Sequence, residues 1–378
     1  MIEIKEERVI IKPSNIGASS SEFKVLAVIN PAAIRLPNKD IILYIRVIEK
    51  LIKTEDDRYY YAPRMIGESS FNITIDKFEK KTVSEKNPLD IVFKDGTKRL
   101  TFISHFRRVI LDKTGLKIKS IDKRPSFYGL SWDSELGVED PRITKIGKLY
   151  LMTYVGLSKS ANVSTYLAVS SDCKNWYRRG IIFQEQNKDV VIFPELVNKK
   201  YLALNRPEGT FQFSQPHIWL SYSGDLEEWG KAIPIDLAKK GEWDADRVGA
   251  GPPPLKTSKG WLVIYHGVKE YSQRANTLIK KIKAIFGKRE KRLSYNVGAV
   301  LLDLNRPNKI ISKSKNPIIL PINKYEKGTF EKKDVVFPTG IIEDLNKKDI
   351  LLYSGGGDIV TTIKKVSLED IMSKLERV

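Results

Sequence analysis

The heptapeptide Ser170-Ser-Asp-Cys-Lys-Asn-Trp176 returns 53 residues later as Ser223-Gly-Asp-Leu-Glu-Glu-Trp229, and each copy precedes another short strand-like run. A carboxylate in a tight turn can bind local backbone N–H groups while a tryptophan packs between neighbouring sheets, so the pattern suits a hairpin used repeatedly. Repeats of roughly 40–50 residues with four strands each are the mark of propeller blades. The rest of the chain agrees. Short apolar or alternating runs recur at Phe23–Asn30, Ile41–Ile48, Leu149–Tyr154, Thr165–Val169, Val190–Phe193, Tyr201–Leu204, Ile218–Tyr222, Trp261–Tyr265, Val297–Leu302 and Ile350–Tyr353. Most are bounded by Gly, Pro, Asn or Asp, as strands and turns are. Helical spacing stands out only at Leu278–Phe286 and Leu368–Leu375. A chain of 378 residues has room for five blades plus decorations. The expectation is therefore an all-β, five-bladed β-propeller forming one domain over 1–378, with a helical insertion at 273–293 and a C-terminal helix.

Charge narrows the partners. Lys and Arg number 65 against 46 Asp and Glu, a formal net charge of +19, which attracts anionic partners. Lysine-rich surfaces also occur where charge networks serve heat stability. The basic residues are interleaved with Asp and Glu along the chain, which argues against a general nucleic-acid binder. The lone Cys173 allows no internal disulfide, and His105, His217 and His266 lie too far apart for a zinc motif. No run approaches the ~20 apolar residues of a membrane span, and the start Met1-Ile-Glu-Ile-Lys-Glu-Glu-Arg8 is not a signal peptide. A cytoplasmic protein without a metal site is expected.

Polar residues cluster at the ends of the expected strands. Gly137-Val-Glu-Asp-Pro-Arg142 sets two acids and a base at a proline-stiffened strand entrance. Asn187-Lys-Asp189 leads into an apolar strand, Asn205-Arg-Pro207 closes the next, Asp246-Arg-Val-Gly-Ala-Gly-Pro-Pro-Pro254 forms a rigid loop, and Tyr265-His-Gly267 ends a strand on a histidine. Taken singly, each has a plain structural explanation, such as a salt-bridged turn or a core histidine. Together they place polar groups where the strands of a propeller converge on its channel.

The ordered set Asn30-Pro-Ala32, Leu43-Tyr-Ile-Arg-Val47, Gly137 to Thr144, Asn187-Lys-Asp189, Asn205-Arg-Pro207, Val248 to Pro254, Tyr265-His-Gly267, Tyr295 to Asp303, Phe337-Pro-Thr-Gly340 and Tyr353 to Asp358 resembles glycoside hydrolase family 130. The resemblance implies a five-bladed propeller acting on β-mannosides, chiefly as an inverting phosphorylase that releases α-mannose 1-phosphate. It implies inorganic phosphate as co-substrate and no metal or organic cofactor. The family's catalytic acid falls on Asp140, which would donate its proton through a mannose hydroxyl. Phosphate already carries negative charge, so such an enzyme needs cations to hold it rather than a second carboxylate as base. Lys188, Arg206 and His266 match positions of that cation cluster, with Arg178 and Tyr295 as further phosphate candidates. Asn30, Arg46, Asp246 and Asp358 are the candidates for binding substrate.

Two departures from the family pattern matter. Ser164 stands where an arginine is common, with Lys159 a possible substitute, and family members lacking the cation cluster are hydrolases. The insertion 273–293 carries Leu278, Ile279, Ile282, Ile285 and Phe286 at helical spacing, followed by the basic run Lys288-Arg-Glu-Lys-Arg292. Such a helix suits an acidic membrane surface through 278–292, a second subunit of a homo-oligomer, or the channel mouth. Two other readings remain: a non-catalytic propeller binding a glycan or polyanion, and a glycosidase using a carboxylate pair drawn from Glu139, Glu195 and Asp246.

Overall fold

The computed structural model describes residues 1–209, 213–272, 291–328 and 333–378. The chain is all-β. Three four-stranded antiparallel meanders come first, each strand pairing with the next in sequence. The first sheet comprises Phe23–Arg35, Ile41–Leu51, Phe102–Leu111 and Ile118–Ile121. The second comprises Gly137–Ile146, Leu149–Ser158, Asn162–Ser170 and Tyr177–Phe183, and the third Asn187–Ile192, Tyr201–Pro207, Trp219–Ser223 and Trp229–Pro234.

A ten-stranded sheet follows, which divides at a short parallel pairing of Leu293–Tyr295 with Lys333–Val335. On one side of that seam lies a fourth meander, Arg247–Ala250, Gly260–Ser272, Lys291–Leu302 and Ile310–Ser314. On the other lies a fifth, Lys333–Glu343, Asp349–Gly356 and Val360–Ser367. The N-terminal strand Ile4–Ile11 completes the fifth group by pairing with Val360–Ser367, so the start of the chain is stitched to its end.

The leading strand of each group lies innermost, and these strands follow one another round a circuit. Phe23–Arg35 lies against Gly137–Ile146, that strand against Asn187–Ile192, and the latter against Arg247–Ala250. The fourth group meets Lys333–Glu343, which returns to Phe23–Arg35. The core follows the same circuit as wedges between successive sheets. Tyr44 and Phe106 meet Met152 and Tyr166, and Leu151 and Leu167 meet Ile192 and Ala203. Leu204 and Phe193 meet Val263, Ile264 meets Val336 and Leu352, and Tyr353 and Ile363 close on Leu43 and Val109.

The repeated heptapeptide forms one turn twice. Ser170 Oγ accepts from the N–H groups of Asp172 and Cys173, and Asp172 Oδ1 accepts from those of Lys174 and Asn175. Ser223 and Asp225 repeat the arrangement residue for residue, and Asp303 Oδ1 receives Asn305 and Arg306 at the matching turn of the fourth sheet. Trp176 reaches the preceding sheet, its indole N–H donating to Tyr44 OH at 2.9 Å, and Trp229 packs on Phe183 of the preceding sheet.

The expected C-terminal helix spans Leu368–Ser373, with the Ser367 side chain accepting from Asp370 N as its cap. Of the insertion expected at 273–293, residues 273–290 lie outside the described residues, as does most of the basic stretch 278–292. Residues 291–293 belong to the strand Lys291–Leu302 rather than to a helix. Among the described residues no helix is long and apolar enough to cross a membrane. A second excursion went unforeseen: residues 52–101, between two strands of the first sheet, carry the hairpin Tyr59–Met65/Ile73–Glu79 and the small sheet Val83–Lys86, Asp90–Phe93 and Lys98–Leu100.

Candidate active site

In three of the innermost strands a polar residue takes a positive φ at a break in register: Asn30 (48°), Asp140 (48°) and Asp189 (54°). A bulge re-aims a side chain away from its strand's alternation, and a non-glycine residue in this region is uncommon enough to flag a functional position. Prolines 31 and 141 follow two of the three and stiffen the bulge. All three residues line one cavity of about 400 Å³ enclosed by the inner strands.

Eight of the residues expected at the site come together there: Asp140, Lys188, Arg206, His266, Tyr295, Asn30, Arg46 and Asp358. Asp140 Oδ1 accepts from Asn30 Nδ2 at 2.8 Å and from Arg46 Nη1 at 3.1 Å. Arg46 also binds Glu139, whose other oxygen lies 3.7 Å from Lys188 Nζ. Across the cavity, Arg206 Nε donates to Asp189 Oδ2 at 2.7 Å, and its Nη1 donates to Glu208. Arg247 lies 3.2 Å from Glu208 and donates to Tyr295 OH at 3.4 Å. His266 Nε2 stands 3.5 Å from Asp189 Oδ2, with Phe337 against its ring at 4.5 Å.

Two glycines make this crowding possible. A Cβ on Gly249 would sit 2.2 Å from Asp189 Oδ2, and one on Gly355 would sit 2.1 Å from Asn30 Oδ1. Beneath the cavity Arg142, 1% exposed, donates to the carbonyls of Gly251 at 2.7 Å and Asp140 at 2.8 Å.

Burial raises the Asp140 carboxyl, but Arg46, Arg142, the Asn30 amide and Lys188 together outweigh it and hold the group below the usual carboxylate range. Asp189 is likewise held down, burial being overcome by Arg206, His266 and Arg142. His266 goes the other way from an ordinary histidine. Burial pushes its imidazole down to about 3, and the neighbouring guanidinium groups offset the pull of Asp189. The cation expected at this position is thus a neutral ring, and the charge of the cluster comes from Lys188, Arg206 and Arg247.

Among the described residues, Asn30 Oδ1, Arg46 Nε and His266 Nδ1 are buried without a hydrogen-bond partner. Their residues line the cavity, and buried polar atoms of this kind are costly unless a bound group satisfies them.

Two expected residues are placed elsewhere. Arg178 stacks on Phe127 at 4.3 Å and donates to Asp133, Tyr128 O and Tyr154 OH, which ties the second sheet to the loop before it. Asp246 lines a separate cavity with Phe213 and Asp244, and its Oδ2 accepts from Glu270 N at 2.7 Å. Ser164 donates to Ala161 O at 2.7 Å, and neither it nor Lys159 lines the site.

Asp189, Arg247 and Phe337 line the cavity although none had been singled out for a role. Each sits inside a quoted motif, and strand alternation carries the signal for Arg247, since the residue after Asp246 faces the opposite side. Among the described residues no group of three His, Cys, Asp or Glu side chains is placed to hold a metal ion.

Residues 52–377 match the model of a family described as β-1,4-mannooligosaccharide phosphorylase. A β-1,2-mannobiose phosphorylase of Listeria innocua serovar 6a is 30% identical over 380 residues, covering 98% of this chain and 97% of that protein. A 1,2-β-oligomannan phosphorylase of Thermoanaerobacter sp. strain X514 is 33% identical over 263 residues, covering 69% of this chain and 78% of the relative. A solved β-1,2-mannobiose phosphorylase from Listeria innocua, in complex with β-1,2-mannobiose, superposes with a TM-score of 0.81 at 30% identity, covering 97% of this chain and 96% of that one.

Proposed function

Since the chain belongs to glycoside hydrolase family 130, we propose that it is an inverting phosphorylase of β-mannosides built on a five-bladed propeller, with β-1,2-linked mannosides as its substrates. The five meanders, their circuit of inner strands and their five wedges of core support the blade count. The β-1,2 linkage is supported by the two relatives at 30% identity or above, whereas a β-1,4-mannooligosaccharide phosphorylase of Ruminococcus albus is 25% identical.

The observation that carries phosphorolysis is the cationic side of the cavity, Lys188, Arg206 and Arg247, which shares the cavity with the Asp140 carboxyl. Glu139 and Asp189, which a hydrolase would need as a base for water, are each ion-paired through both oxygens, Glu139 with Arg46 and Lys188 and Asp189 with Arg206 and Arg142, whereas Asp140 meets Arg46 through one oxygen alone. In the proposed reaction a phosphate oxygen attacks C1 of the mannosyl unit from the cationic side. The bond from C1 to the bridging oxygen breaks, and that oxygen takes a proton originating on Asp140 and passed through a mannose hydroxyl. The products are α-mannose 1-phosphate and the shortened saccharide. Asn30, Arg46 and Asp358 orient the mannose hydroxyls, and neutral His266 with Tyr295 donates hydrogen bonds to phosphate.

Asp140 is ionised in the free pocket. Phosphate entering among the cations offsets the charges that hold its proton off, so the acid is armed as the co-substrate binds. Asp140→Asn keeps the shape and removes the proton. Turnover is expected to fall by about 10²–10⁴-fold in a protein that remains folded by circular dichroism; a variant that folds and retains the wild-type rate removes Asp140 from the reaction.

A further inference from the structure

The cavity has a second character that the phosphate and mannose residues leave unused. On the side of the first sheet its wall is apolar: Leu26 and Ile48 of that sheet, Phe102 where the chain re-enters it, and Leu89 and Leu100 from the 52–101 excursion, with Asp90 among them. Ile48 lies two residues beyond Arg46 on the same face of its strand, so the wall continues the floor of the site directly.

The wall is built rather than draped. Thr101 N donates to Leu89 O at 3.0 Å, Lys50 Nζ to Pro88 O at 2.5 Å, and the 3% exposed Arg99 donates to Pro63 O and Asp76, both at 3.0 Å. Met65 N donates to Glu135 O at 2.8 Å and Ser131 N to Gly67 O at 3.0 Å, which fasten the excursion to the segment preceding the second sheet.

Position round the circuit gives the wall its meaning. The first sheet is flanked by the second and the fifth, so the third and fourth sheets, which carry Lys188, Arg206, Arg247 and His266, stand across the cavity from it. In an inverting displacement the nucleophile and the leaving group occupy opposite faces of C1. If phosphate sits among the cations, the departing sugar is directed at the apolar wall.

We propose that Leu89 and Leu100, with Asp90 at their edge, form the seat of the leaving sugar and select a neutral pyranoside there, its C–H face on the leucines and a hydroxyl donating to Asp90. Asp90 Oδ1 already receives Asn87 Nδ2 at 2.7 Å, while Lys98 is 4.0 Å from Oδ2. An anionic sugar whose charge lay against the Asp90 carboxylate and the leucines would lose hydration there and meet a like charge. This seat rests on the phosphorolysis reading above.

The synthetic direction separates the two sugars, because α-mannose 1-phosphate fills the cationic side and free mannose the wall. In Leu89→Ala and Leu100→Ala the KM for mannose is expected to rise about tenfold or more, the scale of lost apolar contact in a pocket, with the KM for α-mannose 1-phosphate within about twofold of wild type. Asp90→Asn, which keeps its shape and leaves packing intact, is expected to raise the mannose KM alone as well and to narrow the preference for mannose over mannose 6-phosphate. Unaltered mannose KM in the folded variants, or equal rises in both constants, overturns the seat while leaving phosphorolysis standing. A wild-type protein that releases no phosphate from α-mannose 1-phosphate with any sugar acceptor overturns the underlying reading and the seat with it.

Discussion

His266 shows how far surroundings can move a side chain from its ordinary chemistry. At 1% exposure and close to Arg206, Arg142 and Arg247, the ring would have to shed its hydration to carry a charge, so it stays neutral down to about pH 3. An unfolded histidine protonates near 6.5, so between these values the unfolded chain binds more protons than the folded one. Stability should therefore fall as pH drops through that window, with this ring contributing about 1.4 kcal/mol per pH unit. Urea unfolding of wild type and His266→Gln between pH 6 and 4 checks the sign: the variant's slope should be shallower by about that amount, and an identical slope means the ring is charged in the folded state. None of this is legible in Tyr265-His-Gly267, which identifies the position but not its protonation. Arg178 fails in sequence for the same reason. Its motif, Trp176-Tyr-Arg-Arg179, holds two arginines, and only the fold shows that one is consumed by Asp133 and the other by Glu227.

At the scale of elements, the apolar runs were readable because most of these strands are buried on both faces between neighbouring sheets and are therefore nearly continuously apolar. Gly137–Ile146 was readable only as a strand entrance and Lys333–Glu343 not as a strand, because each carries a proline at a break in register that interrupts its pattern. The 52–101 excursion is harder to read for a different reason: its strands are short and mostly half-buried, and apolar and charged residues mix along them. What ties one sheet to the next can be tested at Tyr44. Its hydroxyl donates to Cys173 O at 2.8 Å and accepts from the Trp176 indole at 2.9 Å, joining the first sheet to the repeated turn of the second. Tyr44→Phe leaves both partners unsatisfied and should cost about 1–3 kcal/mol in chemical unfolding, with Michaelis constants unchanged. A cost near zero would mean that the hydroxyl plays no part in joining the sheets.

For the whole molecule, the circuit of sheets does what no single motif can. It turns Asn30, Asp140, Lys188, Arg247 and Asp358, spread over most of the sequence, into the lining of one cavity. It also sets Lys188, Arg206 and Arg247 on one side of that cavity and Leu26, Ile48, Leu89 and Leu100 on another. The net charge of +19 belongs to this scale too, because it favours the arrival of an anion at any orientation before the pocket selects it. Sequence motifs reach the order of these residues. They do not reach the division of the cavity, which depends on which sheets face one another. The central claim is that a phosphate oxygen, rather than water, takes the mannosyl unit. Incubating the protein with β-1,2-mannobiose while titrating inorganic phosphate from zero, and resolving the products, tests it most directly. Phosphorolysis yields α-mannose 1-phosphate and mannose in equal amounts, at a rate that vanishes without phosphate and saturates with it. Free mannose as the sole product, formed at a rate indifferent to phosphate, would contradict it.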